Sequence, residues 1–179
     1  MNVPERNVRF KLVLFGNASV GKTSLVERFV NDRFDSNYMS TLGYNVYEKK
    51  IAYKNALISL MIYDIGGQEQ FRELRRKYAE GAHTGIIVYD ITDLRSFETV
   101  SDWKFNLYEF AGEIPFIIIG NKVDLEHNRK VNKDMASNLA VELDAVEFFE
   151  TSAKNGDFVQ NAFTKLAAKT YDKFVEQDT

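Results

Sequence analysis

At 179 residues the chain has the size of one ordinary domain and is too short for two. Hydrophobic residues make up 45% and charged residues 27%, a globular balance that excludes extended disorder. A formal charge of −3 supplies no broad electrostatic reason to bind nucleic acid or anionic lipid. The absence of cysteine excludes disulfides, thiolate zinc sites, cysteine nucleophiles and thioether or thioester lipid anchors in this chain. The opening Met1-Asn2-Val3-Pro4 resembles neither a signal peptide nor a myristoylation site, and no apolar run approaches the ~20 residues of a membrane span. These features predict a soluble, cytoplasmic, single domain over residues 1–179.

Strand-like and helical patterns alternate along the chain. Phe10–Phe15 reads as a strand ending in a glycine, and Leu25, Val26, Phe29 and Val30 follow at helical spacing. Tyr44–Tyr53 and Leu57–Tyr63 read as a hairpin turning at Lys54-Asn55, its first strand mixed polar and apolar as suits a sheet edge. Gly85–Asp90, Phe116–Gly120 and Val146–Glu150 are short β-rich runs expected in the sheet centre. Phe97, Val100, Trp103, Leu107 and Phe110 form one apolar helical stripe, Met135, Leu139 and Leu143 a second, Phe158, Ala162 and Leu166 a third. This alternation predicts a three-layer α/β domain with a six-stranded, mostly parallel sheet and one antiparallel edge strand. Ligands of such sheets bind beyond the carboxyl ends of the strands.

After the first strand stands Gly16-Asn17-Ala18-Ser19-Val20-Gly21-Lys22-Thr23, which fits G-x-x-x-x-G-K-[ST]. The glycines let backbone N–H groups converge on phosphate oxygens at a helix N-terminus. Lys22 would set an ammonium against the β- and γ-phosphates, and Thr23 a hydroxyl on magnesium. Asn121-Lys122-Val123-Asp124 follows the fifth strand and Thr151-Ser152-Ala153-Lys154 the sixth. Guanine presents two donors on one edge, N1–H and N2–H2, and an ionised Asp124 accepts both. Adenine would instead set its N1 lone pair against the carboxylate and leave a buried charge unpaired. The Ala153 N–H could meet guanine O6, with Lys122 and Lys154 flanking the base. Asp64-Ile65-Gly66-Gly67-Gln68 ends the third strand. Asp64 is placed to hold magnesium through water, the Gly67 N–H to meet a γ-phosphate, and Gln68 to orient the attacking water. Thr41, in the polar segment 35–43, is the candidate second hydroxyl on the metal.

With these motifs in this order and spacing, the sequence resembles the Ras-superfamily small GTPases, nearest their Rab-like branch, over residues about 9–175. Gly81-Ala82-His83 and Tyr89-Asp90-Ile91-Thr92 add to the Rab-like character. The resemblance implies a P-loop NTPase fold of the G-domain type and a switch that binds GTP or GDP with Mg2+ and slowly hydrolyses GTP, its first and second switch segments, 34–45 and 65–80, being ordered by the γ-phosphate. It implies catalytic roles for Gln68, Lys22, Thr41 and Gly67, and magnesium ligation by Thr23, Thr41 and Asp64. Nucleotide contacts are implied for Asn17, Ala18, Ser19, Val20, Gly21, Lys22, Thr23, Ser24, Phe34, Tyr38, Thr41, Gly67, Asn121, Lys122, Asp124, Leu125, Ser152, Ala153 and Lys154, with Phe34 edge-on to the guanine. Protein effectors, an exchange factor and a GTPase-activating protein are the implied partners of a monomer. The chain ends at Thr179 without the cysteine-bearing tail of a prenylated Rab: either the protein is unprenylated and any membrane recruitment runs through a partner, or a longer tail lies outside these residues.

Several positions depart from the family pattern. Ala18 stands where Ras has glycine and Rab proteins commonly serine, and its methyl is expected to crowd the γ-phosphate and slow hydrolysis. Gly66 replaces the usual alanine, and two adjacent glycines would widen backbone freedom in the second switch, either aiding its reorientation on nucleotide exchange or loosening Gln68. On the face that Rab effectors read, Val46, Tyr63 and Tyr78 stand for phenylalanine, tryptophan and tyrosine, so only the last is kept. Arg72, Arg75 and Arg76 share one face of the expected second-switch helix, either as solvated charges balanced by Glu69, Glu73 and Glu80 or as a surface for an acidic partner. Arg33 and Arg72 are weak candidates for a built-in arginine finger. Two other readings compete with a hydrolysing switch: a nucleotide-gated binding module with negligible turnover, and a small ATPase or nucleotide kinase, which Asp124 opposes.

Overall fold

The computed structural model describes residues 6–37 and 39–176. Its six strands are β1 (Arg6–Phe15), β2 (Tyr44–Tyr53), β3 (Ala56–Ile65), β4 (Thr84–Asp90), β5 (Phe116–Asn121) and β6 (Glu147–Thr151). They lie in the order β2-β3-β1-β4-β5-β6, and only β2 runs antiparallel to its neighbour. The helices are α1 (Lys22–Asn31), α2 (Arg72–Ala79), α3 (Leu94–Glu98), α4 (Val100–Ala111), α5 (Lys133–Glu142) and α6 (Val159–Tyr171).

The period-two alternation of β1 generates the layers. Leu12 and Leu14 point into a core with Leu25 and Phe29 of α1 and Phe163 and Leu166 of α6. Val13 and Phe15 point the other way, toward Trp103 and Leu107 of α4 and Ala136 of α5. Phe29 and Phe163 stack at 4.3 Å between ring centroids and join α1 to α6. β4 is buried at every position, as a parallel strand covered on both faces should be. β2 carries the expected half-exposed edge pattern, and the hairpin turns at Lys54, whose φ is +51°.

The structure corrects several local expectations. Residues 146–150 are not central, because β6 closes the sheet on the side opposite β2 and is only half-buried over most of its length. The stripe from Phe97 to Phe110 spans two helices, because the chain bends at Thr99 (φ −90°, ψ 1°). The core face of α5 is Ala136 and Ala140, whereas Met135 is 45% exposed. There the small residues let the helix lie close to the sheet, and the large apolar side chains fall at its margin. Phe158 precedes α6 in a left-handed conformation and is 61% exposed, so Val159 rather than Phe158 starts the buried face. Among the described residues, no helix is long and apolar enough to cross a membrane.

β1, β3, β4, β5 and β6 are parallel, so Phe15, Ile65, Asp90, Asn121 and Thr151 all end at one edge of the sheet. The phosphate loop, Asp64–Gln68, Asn121–Asp124 and Ser152–Lys154 all leave from that edge, and Thr41 precedes the start of β2 there, whereas Gly81-Ala82-His83 lies before β4 at the opposite edge.

At the opposite edge, His83 accepts a hydrogen bond at Nδ1 from the Lys11 backbone N–H (2.9 Å), and its ring meets the edges of Phe10 and Phe174. Burial, with the Lys11 charge adding to it, holds its imidazole below the ordinary histidine pKa. As pH falls through about 6.5 the unfolded chain takes up this proton before the folded one does, so folding stability declines from there toward the lower folded value. The urea midpoint, followed by Trp103 fluorescence, is expected to drop between pH 7 and pH 5. In His83→Gln the drop should be shallower; an equal drop would place the titration elsewhere.

Candidate functional site

The phosphate-loop sequence forms a tight turn between β1 and α1. Gly21 adopts φ +100°, and a Cβ there would strike the side-chain amide of Asn121. The first intrahelical bond of α1 runs from the Leu25 N–H to the Gly21 carbonyl (2.9 Å), so the N–H groups of the preceding turn have no intrahelical acceptor. Lys22 is 6% exposed and folds back along the loop, its Nζ donating to the carbonyls of Gly16 (2.6 Å) and Asn17 (2.8 Å). Burial pushes its ammonium down to about 8, with the Asp64 charge opposing the shift and Arg75 adding to it.

Thr23, Thr41 and Asp64 come from α1, from the segment before β2 and from the end of β3. Their oxygens nevertheless meet: Thr23 Oγ1 lies 2.5 Å from Asp64 Oδ2 and 2.6 Å from Thr41 Oγ1. Burial pushes the Asp64 carboxyl pKa up, against the bond from Thr23, and Asp64 Oδ1 is buried with no hydrogen-bond partner. Two hydroxyls and one carboxylate with an unmatched oxygen are hard donors of the kind Mg2+ takes, through one or two carboxylates alongside substrate phosphates. No cluster of three or more His, Cys, Asp or Glu suited to a metal occurs among the described residues. The donor set therefore fits the ion.

The cleft beside the loop has a volume of about 400 Å³ and is lined by Ser19, Gly21, Ser24, Phe34, Asp35, Ser36, Asn121, Lys122, Asp124, Leu125, Ala153 and Lys154. Ser152 Oγ donates to Asp124 Oδ1 at 2.7 Å and fixes that carboxylate. Asn121 Nδ2 donates to the Val20 carbonyl (3.1 Å), while its Oδ1 accepts from Thr151 Oγ1 (3.0 Å) and the Ala153 N–H (3.2 Å). The Ala153 N–H thus already has an acceptor, and a guanine O6 would have to share it. Lys122 Nζ donates to the Ser19 carbonyl (2.7 Å) and pairs with Asp90 (2.8 Å), which locks the base loop to the phosphate loop. Phe34 stands on the cleft wall, 38% exposed. Tyr38 lies outside the described residues.

Gly67 approaches the phosphate loop so closely that a Cβ would collide with the Gly16 carbonyl and come within 2.6 Å of the Ala18 nitrogen. Between them lies a cavity of about 20 Å³, lined by Ala18, Lys22, Thr23, Thr41 and Gln68 among others. Gly66 is constrained rather than loosened: a Cβ would meet the Phe71 ring at 2.6 Å and the Thr41 carbonyl at 2.8 Å, and its N–H donates to the Gly43 carbonyl. The side-chain Oε1 of Gln68 accepts from Gln70 Nε2 at 2.8 Å.

Neither sequence reading of the three arginines holds for all of them. Arg75 is 2% exposed and donates to the carbonyls of Gly66 and Gln68, each at 2.8 Å. Arg72 and Arg76 lie over the Phe110 ring and reach Glu109 of α4 at 3.3 and 3.7 Å, and they also reach Glu73 at 3.8 and 3.9 Å, as the expected balance of charges has it. That engagement also turns Arg72 away from a finger role. On the switch face Tyr44, Tyr78 and Tyr63 form a run of rings, with centroids 4.2 and 5.6 Å apart.

Three supporting residues carry no motif. Trp103 Nε1 and Thr99 Oγ1 both donate to Asn17 Oδ1, at 2.7 and 2.9 Å. Arg28 on α1 donates to the carbonyls of Ala153 (2.8 Å) and Lys154 (2.6 Å), and so holds the last loop. A buried indole N–H needs an acceptor, which is the one sequence signal for Trp103. Arg28 offers none beyond a local pair with Asp32 (2.9 Å), since the loop carbonyls it holds are more than a hundred residues away.

A family model described as the Ras family matches residues 11–172. The chain is 42% identical over 159 residues to Ras-related protein Rab-13 of Rattus norvegicus, covering 88% of this chain and 78% of that protein. It is 39% identical over 175 residues to GTP-binding protein YPTM2 of Zea mays, covering 97% and 86%. To Ras-related protein SEC4 of Candida albicans (strain WO-1) it is 38% identical over 169 residues, covering 94% and 80%. The likeness extends far beyond the short motifs to the whole framework that carries them, and the chain belongs to the Ras family as a Rab-like small GTPase.

Proposed function

We propose that residues about 9–175 act as one nucleotide-binding unit that exchanges GDP for GTP and returns to the GDP state by slow hydrolysis, regulating membrane trafficking through proteins that distinguish the two states. The observation that carries this reading is the continuity of the site: Asn121 joins the Asp124 cleft, the phosphate loop and the Ser152–Lys154 loop through three side-chain bonds. A base in the cleft and phosphates on the loop would therefore belong to one ligand.

In this reading Ser152 orients Asp124 toward the two donor groups of guanine, with Leu125, Lys122 and Lys154 against the base and Phe34 at its edge. The N–H groups of residues 17–23 receive the phosphates. Lys22 already lies along the loop, and a polyanion there offsets its desolvation and favours the charged form, which stabilises negative charge developing on the leaving GDP oxygen. Thr23, Thr41 and Asp64 would hold Mg2+, which would offset negative charge on the phosphates. Gln68 orients a water in line with the γ-phosphorus. The water oxygen forms the new P–O bond as the bond to the β-phosphate oxygen breaks, giving GDP and inorganic phosphate. The Gly67 N–H meets the γ-phosphate and ties the second switch to its presence. Turnover on the order of 10⁻⁴ to 10⁻³ s⁻¹ is expected without an arginine supplied by a partner.

The unit works as a monomer with an exchange factor, an activating protein and effectors. Residues 1–179 hold no cysteine to carry a thioether, so this unit reaches a membrane through a partner or through chain outside these residues. A binding module without turnover is the weaker reading, because the relatives are small GTPases and Gln68 is retained.

Single-turnover hydrolysis of preloaded GTP tests the roles. Gln68→Leu should slow GDP formation at least tenfold while GTP loading stays intact; unchanged turnover would remove Gln68 from the mechanism. Ala18→Gly should speed intrinsic hydrolysis, since Ala18 is among the residues lining the small cavity. An unchanged rate would clear Ala18. Excess ATP should fail to displace bound GTP, and Asp124→Ala should weaken GTP binding by at least about tenfold through loss of charge-assisted hydrogen bonds. Effective competition by ATP would overturn the base assignment.

A further inference from the structure

We infer that Arg75 is a positioning residue for hydrolysis: from inside the protein it holds the backbone of Gln68 in register with the phosphate loop. The inference rests on the role proposed for Gln68. One guanidinium nitrogen, Nη1, donates to both the Gly66 and the Gln68 carbonyls at 2.8 Å, so it brackets Gly67 between two fixed peptide groups. The guanidinium lies 5.0 Å from the Trp103 ring, whose Nε1 donates to Asn17 Oδ1 at 2.7 Å. The Asn17 carbonyl in turn accepts from Lys22 Nζ at 2.8 Å. An unbroken set of contacts thus runs from the carbonyl of Gln68 through α2 and α4 into the phosphate loop, on the side of the second switch away from the nucleotide cleft.

The chemistry of Arg75 separates this role from simple packing. A cation buried for stability is normally paired with a carboxylate. Among the carboxylates of the described residues Arg75 reaches only Glu69, at 3.8 Å and on a largely exposed side chain, while its Nε is buried with no hydrogen-bond partner among those residues. Its hydrogen-bonding capacity goes instead to two carbonyls of the segment that carries Gln68. The Gln68 side chain itself is tied only to the exposed side chain of Gln70 among the bonds described, so its starting position depends on the backbone that Arg75 fixes. Misplacing a water-orienting group by an ångström is enough to slow a reaction by up to about a hundredfold.

The test measures single-turnover GTP hydrolysis and GTP affinity for Arg75→Met and Arg75→Lys, each with Gln68 intact and in the Gln68→Leu background. Arg75→Met keeps an apolar side chain against Trp103 and removes the donors. It is expected to slow hydrolysis by about 10- to 100-fold with GTP affinity within twofold, and to add no further slowing when Gln68 is Leu. Arg75→Lys keeps a charged donor able to reach the carbonyls, so it should recover most of the rate, and any residual defect should also vanish in the Gln68→Leu background. If Arg75→Met does not fold, that defect in Arg75→Lys decides the matter by the same comparison. Hydrolysis within twofold of the parent in both variants, or equal slowing in both backgrounds, overturns the positioning role. Parent-like turnover in Gln68→Leu alone overturns the role of Gln68 and this inference with it, whereas slow Gln68→Leu beside parent-like Arg75→Met removes Arg75 only.

Discussion

The buried side chain of Asn121 is the joint on which the site depends. A primary amide has donors on one end and acceptor lone pairs on the other, and here both ends are used between separate loops. It sits where Gly21 has no Cβ, so the closest approach of phosphate loop and base loop is itself built around the amide. Residues far apart in sequence thereby become one wall, with Lys122 reinforcing the same joint from the other side through Ser19 and Asp90.

Around that joint the electrostatics are unbalanced in a direction that suits a polyanion with a divalent cation. Lys22 and Asp64 are both buried, and burial moves each toward its neutral form, the lysine down and the aspartate up. Neither group gains what it would in water, and Asp64 keeps one oxygen unmatched. Preorganised groups of this kind bind charge strongly because the cost of desolvating them is met during folding.

The second switch shows how a segment expected to move can still be tightly specified. Its backbone touches the phosphate loop at Gly67, the first switch at Gly66 and the body of the protein at Arg75. Two adjacent glycines look like a hinge in sequence. In the structure they are positions of close approach, where the Phe71 ring, the Thr41 carbonyl and the phosphate loop occupy the space that side chains would take.

The sequence by itself determined the sheet, the site location and the motifs, because these rest on local signals: period-two apolar runs, a glycine-rich turn before a helix, and polar tetrapeptides at strand ends. It was least informative where a side chain's neighbours come from distant segments. Residues 146–150 looked central because their composition is β-rich, yet an edge is defined by what does not pair beyond it. Met135 and Leu139 outweigh Ala136 and Ala140 in hydrophobicity, but close helix–sheet packing selects the small residues. Arg75 shares its spacing with Arg72 and Arg76 and only burial tells them apart: the first meets two carbonyls and an indole face, the others the flank of α4. Local chemistry thus singled out the groups proposed to serve a nucleotide, whereas the tertiary structure alone decided which groups hold those in place, because such supporting bonds join backbone and side chains that no sequence spacing brings together.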